Sequence, residues 1–243
     1  MSIYENRQIV SVLDELTKTL TPDDVALLQA LLKQSEGNEL DTLMDLMGYT
    51  YQHKPVGVRE FVESPRYLGL AGQVYPVLLD DLEELFEGDY IEAVLTGGIG
   101  WGKSTFAEIA ICRMIYEVSC FRNPQKVYGL RPGSVIAFIN ISVNKTNAKK
   151  VVFQGIKSTV MNSPYFRQQF PIVADKAEEL MFPNNVWIFP AAASESGIIG
   201  YNVFGGVMDE VNFMAYSEKS AVTGGKYDQA QTLQEALLQR MKS

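Results

Sequence analysis

Cysteine and histidine are almost missing from this chain: Cys112, Cys120 and His53 are all it has in 243 residues. Two thiols give no disulfide framework and suit a reducing compartment. His53 stands in the polar stretch Tyr51-Gln52-His53-Lys54-Pro55, with no cysteine or second histidine beside it, so no metal site is expected there. Long apolar runs are lacking too. None reaches the ~20 residues of a membrane span. The start Met1-Ser2-Ile3-Tyr4-Glu5-Asn6 lacks the basic and apolar parts of a signal peptide. Positive charge is in deficit, 21 Lys and Arg against 29 Asp and Glu, for a formal net charge of −8. That balance argues against a strong nonspecific DNA binder, because neutralising phosphates takes surplus cations. Lys145, Lys149, Lys150 and Lys157 fall in one helical segment, which a solvated helix face explains more simply than a basic strip.

What is present is a globular composition, 47% hydrophobic and 21% charged, long enough for one substantial core. Its sharpest feature is Gly97-Gly98-Ile99-Gly100-Trp101-Gly102-Lys103-Ser104, which matches G-x-x-x-x-G-K-[ST] at every fixed position. The apolar run 91–96 before it reads as a strand, and the pattern from Thr105 to Ser119 reads as a helix. Glycines permit backbone conformations closed to other residues and let amides approach an anion. Amides from about Gly98 to Ser104, with the helix's first turn, would face the phosphates of a nucleotide. Lys103 is a mobile charge for the β- and γ-oxygens, the Ser104 hydroxyl is a ligand for Mg²⁺, and Thr105 follows in the same turn. Trp101 reads as a hydrophobic plug beside the loop, with contact to the nucleotide or a neighbouring subunit as the functional alternative, and Cys112 as a core thiol on the apolar face of the helix.

Along the rest of the chain, residues 1–57 read as a helical extension and 58–243 as the nucleotide-binding domain. Thr21-Pro22-Asp23-Asp24 opens one helix and Gly37-Asn38 ends it; a second spans about 40–47, and 48–58 is a linker. A short helix is expected at 58–63, and one from Pro76 closed by Gly88. The nearly continuous apolar run 135–143 suits a strand buried on both faces. Then come a helix over 146–162, a hairpin of 179–182 and 186–189, a loop at 197–202, an apolar strand at 203–208 and a last helix at 226–241. The order implies a three-layer α/β fold with a mainly parallel sheet, a P-loop NTPase of ASCE type.

The strand at 203–208 ends in Asp209-Glu210. Asp209 would hold Mg²⁺ through its water shell, and Glu210 could polarise water for in-line attack on the γ-phosphate. Carboxyl ends of strands are where open α/β sheets bind ligands. A switch-type GTPase would carry Asp-x-x-Gly, and this chain reads Asp209-Glu210-Val211-Asn212. Asn144-Lys145-Thr146-Asn147 imitates a guanine-reading motif but lacks its carboxylate and precedes the acidic strand.

Val74-Tyr75-Pro76, the segment Glu92–Ser104, Asn144–Ala148 and Gly205-Gly206-Val207-Met208-Asp209-Glu210, in that order, resemble the ATPase half of tailed-bacteriophage large terminase subunits, over roughly 58–215. The resemblance implies an ATP- and magnesium-dependent motor that threads double-stranded DNA into a procapsid. It implies a portal protein, a terminase small subunit and a homo-oligomeric ring as partners, with the isolated chain a monomer, no membrane, and the host cell cytoplasm as location. Ser243 lies 33 residues after Glu210, too few for the family's nuclease domain, so no nuclease activity is expected and a truncated segment is inferred. No arginine stands in 97–102 or 194–202, leaving Arg131 and Arg167 as guesses for a trans-acting arginine. The family's adenine-side glutamine is replaced by Val77 and Leu78, with Gln73 a weak substitute. Alternatives are a helicase-like or other nucleic-acid-stimulated ATPase, a nucleotide or small-molecule kinase, and an inert nucleotide-binding scaffold. A kinase lid wants arginines after the acidic strand, and 211–239 has none; Glu210 disfavours the scaffold.

Overall fold

The sheet is assembled around one strand that touches no solvent. In the computed structural model, which describes residues 51–88, 90–143, 152–176, 179–192, 201–217 and 227–241, strand β1 (Ile136–Ser142) is buried along its whole length. It pairs in parallel with β4 (Val186–Ala192) on one side and β5 (Asn202–Met208) on the other. Strands β2 (Ala174–Lys176) and β3 (Glu179–Phe182) extend the sheet beyond β4 as antiparallel neighbours, for the order β2-β3-β4-β1-β5. The sheet is therefore mixed rather than mainly parallel: the hairpin's antiparallel pairs stand beside the three parallel strands. Asn184 and Asn185, at φ 58° and 53°, make the β3–β4 reversal. Asparagine tolerates this left-handed region better than most residues.

Alternation along β1 divides the core. Ile136 and Phe138 pack on one face with helix α3 (Lys103–Ser119) and helix α5 (Gln154–Asn162). Ala137, Ile139 and Ile141 pack on the other with Leu233 and Leu237 of helix α7 (Gln229–Met241). Helices on both faces make the three layers. Helix α3 is buried around most of its circumference, from Phe106 to Val118, as a helix inside a core must be. Helices α1 (Val58–Glu63) and α2 (Pro76–Glu87) pack against it, and short turns α4 (Pro124–Val127) and α6 (Pro164–Gln168) complete the chain, with a two-stranded ribbon, β6 (Tyr216–Ser217) and β7 (Tyr227–Asp228).

The segment 91–96 departs from expectation. It pairs with no strand among the described residues, and Ile91, Val94 and Leu95 are exposed at 71%, 79% and 38%. An apolar run records the capacity to be buried in a sheet; pairing also needs a neighbouring strand with free backbone groups. Its described tether is the Gln234 Nε2 bond to Glu92 Oε1, 2.6 Å, from α7. The helices expected in 1–50, the first part of the helix at 146–162, Asn144–Lys150 and most of the 197–202 loop lie outside the described residues.

His53 is also less isolated than its sequence neighbours suggest. The fold brings Cys120 Sγ within 3.4 Å of its Nε2 and the Tyr165 hydroxyl within 2.9 Å, and Ser119 Oγ bonds that hydroxyl at 2.8 Å. Burial lowers the His53 pKa and pushes the Cys120 thiol up to about 12, so both are neutral partners pinning 51–57 to the end of α3. Arg113 does the same two turns earlier: its buried guanidinium donates to Val56 O and Glu117 Oε1 and lies over the rings of Phe61 and Tyr116. Cys112 is fully buried, and burial pushes its thiol far up, as a core thiol requires.

Candidate active site

The loop between 97 and 102 is solvent-facing and turns sharply into α3, with Gly100 at φ 84° and Gly102 at φ 83°. Gly102 is the N-cap of α3 and has no side chain to satisfy the helix's first amides. Those donors, with the positive end of the helix dipole, form an anion-binding end. A Cβ at Gly102 would also lie 2.5 Å from Leu78 Cδ1, so α2 backs directly onto the loop. Lys103 bends over its own loop: Nζ donates to the carbonyls of Gly97 at 2.6 Å and Gly98 at 2.8 Å. Ser104 is exposed and Thr105 half-buried in the same first turn.

Trp101 is not a plug. It is 62% exposed, and its indole lies over the loop, 3.4 Å from where a Cβ on Gly97 would sit. Ile99 at the loop tip is wholly in solvent. The ring covers glycine backbone instead.

Strand β5 delivers the acids to the same place. The Asp209 amide bonds the Ile141 carbonyl at 2.7 Å, carrying the β1–β5 ladder one step past the strand. Burial raises the Asp209 pKa, the Glu210 amide bonded to Oδ1 at 2.9 Å opposes this, the Glu210 charge adds to the rise, and the Lys103 charge opposes it. Glu210 itself takes φ 56°, ψ 36°, an uncommon conformation for glutamate, before the 3-10 turn Val211–Phe213.

Two residues near the loop were not signalled as functional by the sequence. Ser142 closes the buried strand β1, and its Oγ donates to Glu210 Oε2 at 3.4 Å. The available sign was a lone hydroxyl at the carboxyl end of an apolar run. Glu108, one turn beyond Ser104 on α3, is half-buried against Gly155 of α5, and burial lifts its pKa to about 7. The sign there was an acid interrupting an apolar helix face. Arg131 is exposed before the amino end of β1, Arg167 is exposed on α6, and Gln73 is exposed with Nε2 3.4 Å from Gly69 O.

For a divalent cation the site offers the Ser104 hydroxyl and the Asp209 carboxylate, both oxygen donors of the kind magnesium takes. Among the described residues no group of three or more His, Cys, Asp or Glu could hold a metal. Two such donors would fit an ion completed by phosphate oxygens and water. No described helix is long and apolar enough to cross a membrane.

A search of curated proteins finds no match to the chain. A protein-family model does match it, over residues 28–235, a span that takes in the glycine loop, Lys103, the whole described sheet and Asp209-Glu210. The chain therefore belongs to the family described as "Uncharacterized protein MJ0330, N-terminal P-loop domain".

Proposed function

We propose that this P-loop domain is an ATP hydrolase of ASCE type, and that its hydrolysis drives movement of double-stranded DNA. What supports the first part is geometry: the glycine loop turns at Gly100 and Gly102 into the amino end of α3, α3 packs against β5, and β5 runs directly into Asp209 and Glu210. Loop amides and Lys103 bind the triphosphate and stabilise charge spreading onto the γ-phosphoryl oxygens. Ser104 and Asp209 would hold magnesium, which neutralises phosphate charge when bound. Glu210 accepts a proton from water as the new water-oxygen–phosphorus bond forms. The bond between the γ-phosphorus and the β–γ bridging oxygen breaks, and its electrons leave with ADP. Exposure of Glu210 to solvent keeps a water within reach. Glu210→Gln is expected to keep Mg–ATP binding and to lose about 100-fold or more in turnover; unchanged hydrolysis would move the base elsewhere.

Movement of DNA rests on the motif order shared with large terminase subunits. On that reading the chain works as a ring on a viral procapsid with a portal protein and a small terminase subunit, in the host cytoplasm. The test is ATP hydrolysis with and without linear duplex DNA, repeated on a longer chain. Stimulation by DNA supports the motor. Hydrolysis indifferent to DNA supports an ATPase of another kind, and phosphoryl transfer to a small acceptor in place of water supports a kinase.

A further inference from the structure

We propose that Ser142 is a positioning residue for Glu210, fixing the carboxylate that receives the proton; this rests on the hydrolase reading above. Ser142 is 0% exposed, and its bond to Glu210 Oε2 is the only hydrogen bond its hydroxyl makes among the described residues. Its partner across the β1–β4 ladder is Ala192, which offers no polar side chain. A buried hydroxyl is costly to leave unmatched, so it directs its proton to the carboxylate. The 3.4 Å separation is long for such a bond, as hydrogen bonds at active sites often are until substrate draws them in.

The backbone keeps the two residues together. The last β1–β5 bond, Asp209 amide to Ile141 carbonyl, lies one residue before both Ser142 and Glu210. Glu210 then turns through a left-handed conformation, a strain of the kind that collects at functional sites. The hydroxyl reduces the orientations open to an otherwise exposed carboxylate, which is the part of catalysis that depends on geometry.

The experiment measures steady-state ATP hydrolysis, Mg–ATP affinity and Tm for wild type, Ser142→Ala and Ser142→Thr. Ser142→Ala is repeated in the Glu210→Gln background by single turnover. Ser142→Ala is expected to lower kcat about 10-fold with KM and affinity unchanged, Ser142→Thr to restore much of the loss, and Ser142→Ala to add nothing once Glu210 is Gln. If Ala at this buried site impairs folding, Ser142→Cys, similar in size with a weak donor, takes its place with the same expected loss. Wild-type kcat in the folded variant overturns the proposal, as does an equal loss in the Glu210→Gln background, or a raised KM with kcat intact. A wild-type protein that hydrolyses no ATP overturns the hydrolase reading and this positioning role together; a hydrolysing wild type with an indifferent Ser142 overturns the positioning role alone.

Discussion

At the scale of single residues, Lys103 is the group on which most depends. Its ammonium rests on two carbonyls of its own loop, so a phosphate that enters exchanges those weak neutral acceptors for charged oxygens. Lys103→Ala is expected to reduce kcat/KM for ATP by about 10²–10³, read by phosphate release; wild-type rates would end the assignment. Glu108 makes a separate, pH-dependent prediction. Its folded pKa is about 7, above the ordinary 4.5. Between those values the folded state binds the proton that the unfolded state has released, so stability falls as pH rises through the window. Above pH ~7 the cost of the buried charge is fully present, and below pH ~4.5 it is gone. His53, with its pKa lowered, gives the opposite slope, stability falling as pH drops below its ordinary 6.5. The difference in Tm between wild type and Glu108→Gln isolates the first effect. It should grow from near zero at pH ~4.5 to a few degrees in favour of Gln at pH ~7.5. A flat difference would show Glu108 to be solvated.

At the scale of elements, Gly155 of α5 leaves the room that the Glu108 carboxylate of α3 occupies. A Cβ on Gly155 would fall 2.0 Å from Glu108 Oε1 and 2.1 Å from its Cδ. The obstruction is the end of a flexible side chain, so Gly155→Ala should turn the carboxylate out to water instead of breaking the helix pair. The helix gains up to about 0.5–1 kcal/mol from the alanine, against an overpacking cost of about 1–3 kcal/mol before relaxation. Tm at neutral pH is expected to move by only a few degrees, while the pH slope due to Glu108 disappears. A large loss of Tm with the slope retained would contradict this. Gly102→Ala is the harsher change. The residue must hold φ 83° with Leu78 in the way, so a loss of about 1–3 kcal/mol and weaker nucleotide binding are expected from thermal melts and calorimetry.

Elements also show what could be read without coordinates. The apolar run 135–143, the Pro76 helix with its Gly88 stop, the 179–189 hairpin and the 203–208 strand are all recovered, because each carries its own punctuation or periodicity. The run 91–96 has the same composition and pairs with no described strand, because pairing is a property of neighbours that a local pattern does not contain. The short β2, Ala174–Lys176, carries no local signal for a related reason: it holds a three-residue pairing with Glu179–Met181 and has no apolar pattern of its own. Ser142 and the Cys120–His53 contact were hidden likewise, since both depend on residues more than sixty positions away.

At the scale of the whole molecule, parallel strands β1 and β5 end side by side, and α3 packs across β5 on the face that carries Phe138. That arrangement, not either motif alone, brings the glycine loop and the acidic pair to one place. If the proposed motor role holds, the chain's net charge of −8 implies that its grip on DNA comes from a local patch or from several subunits together, and DNA stimulation should then fall steeply with salt. Beneath all of this lies one claim: a triphosphate sits between the Lys103 loop and the carboxylates of 209 and 210. The most direct measurement is a crystal structure with magnesium and a non-hydrolysable ATP analogue. The expected result is β- and γ-phosphates on the amides of 98–104, with the cation between Ser104 and Asp209 and a water facing Glu210. A nucleotide bound elsewhere, or a γ-phosphate turned away from Asp209 and Glu210, would contradict the account.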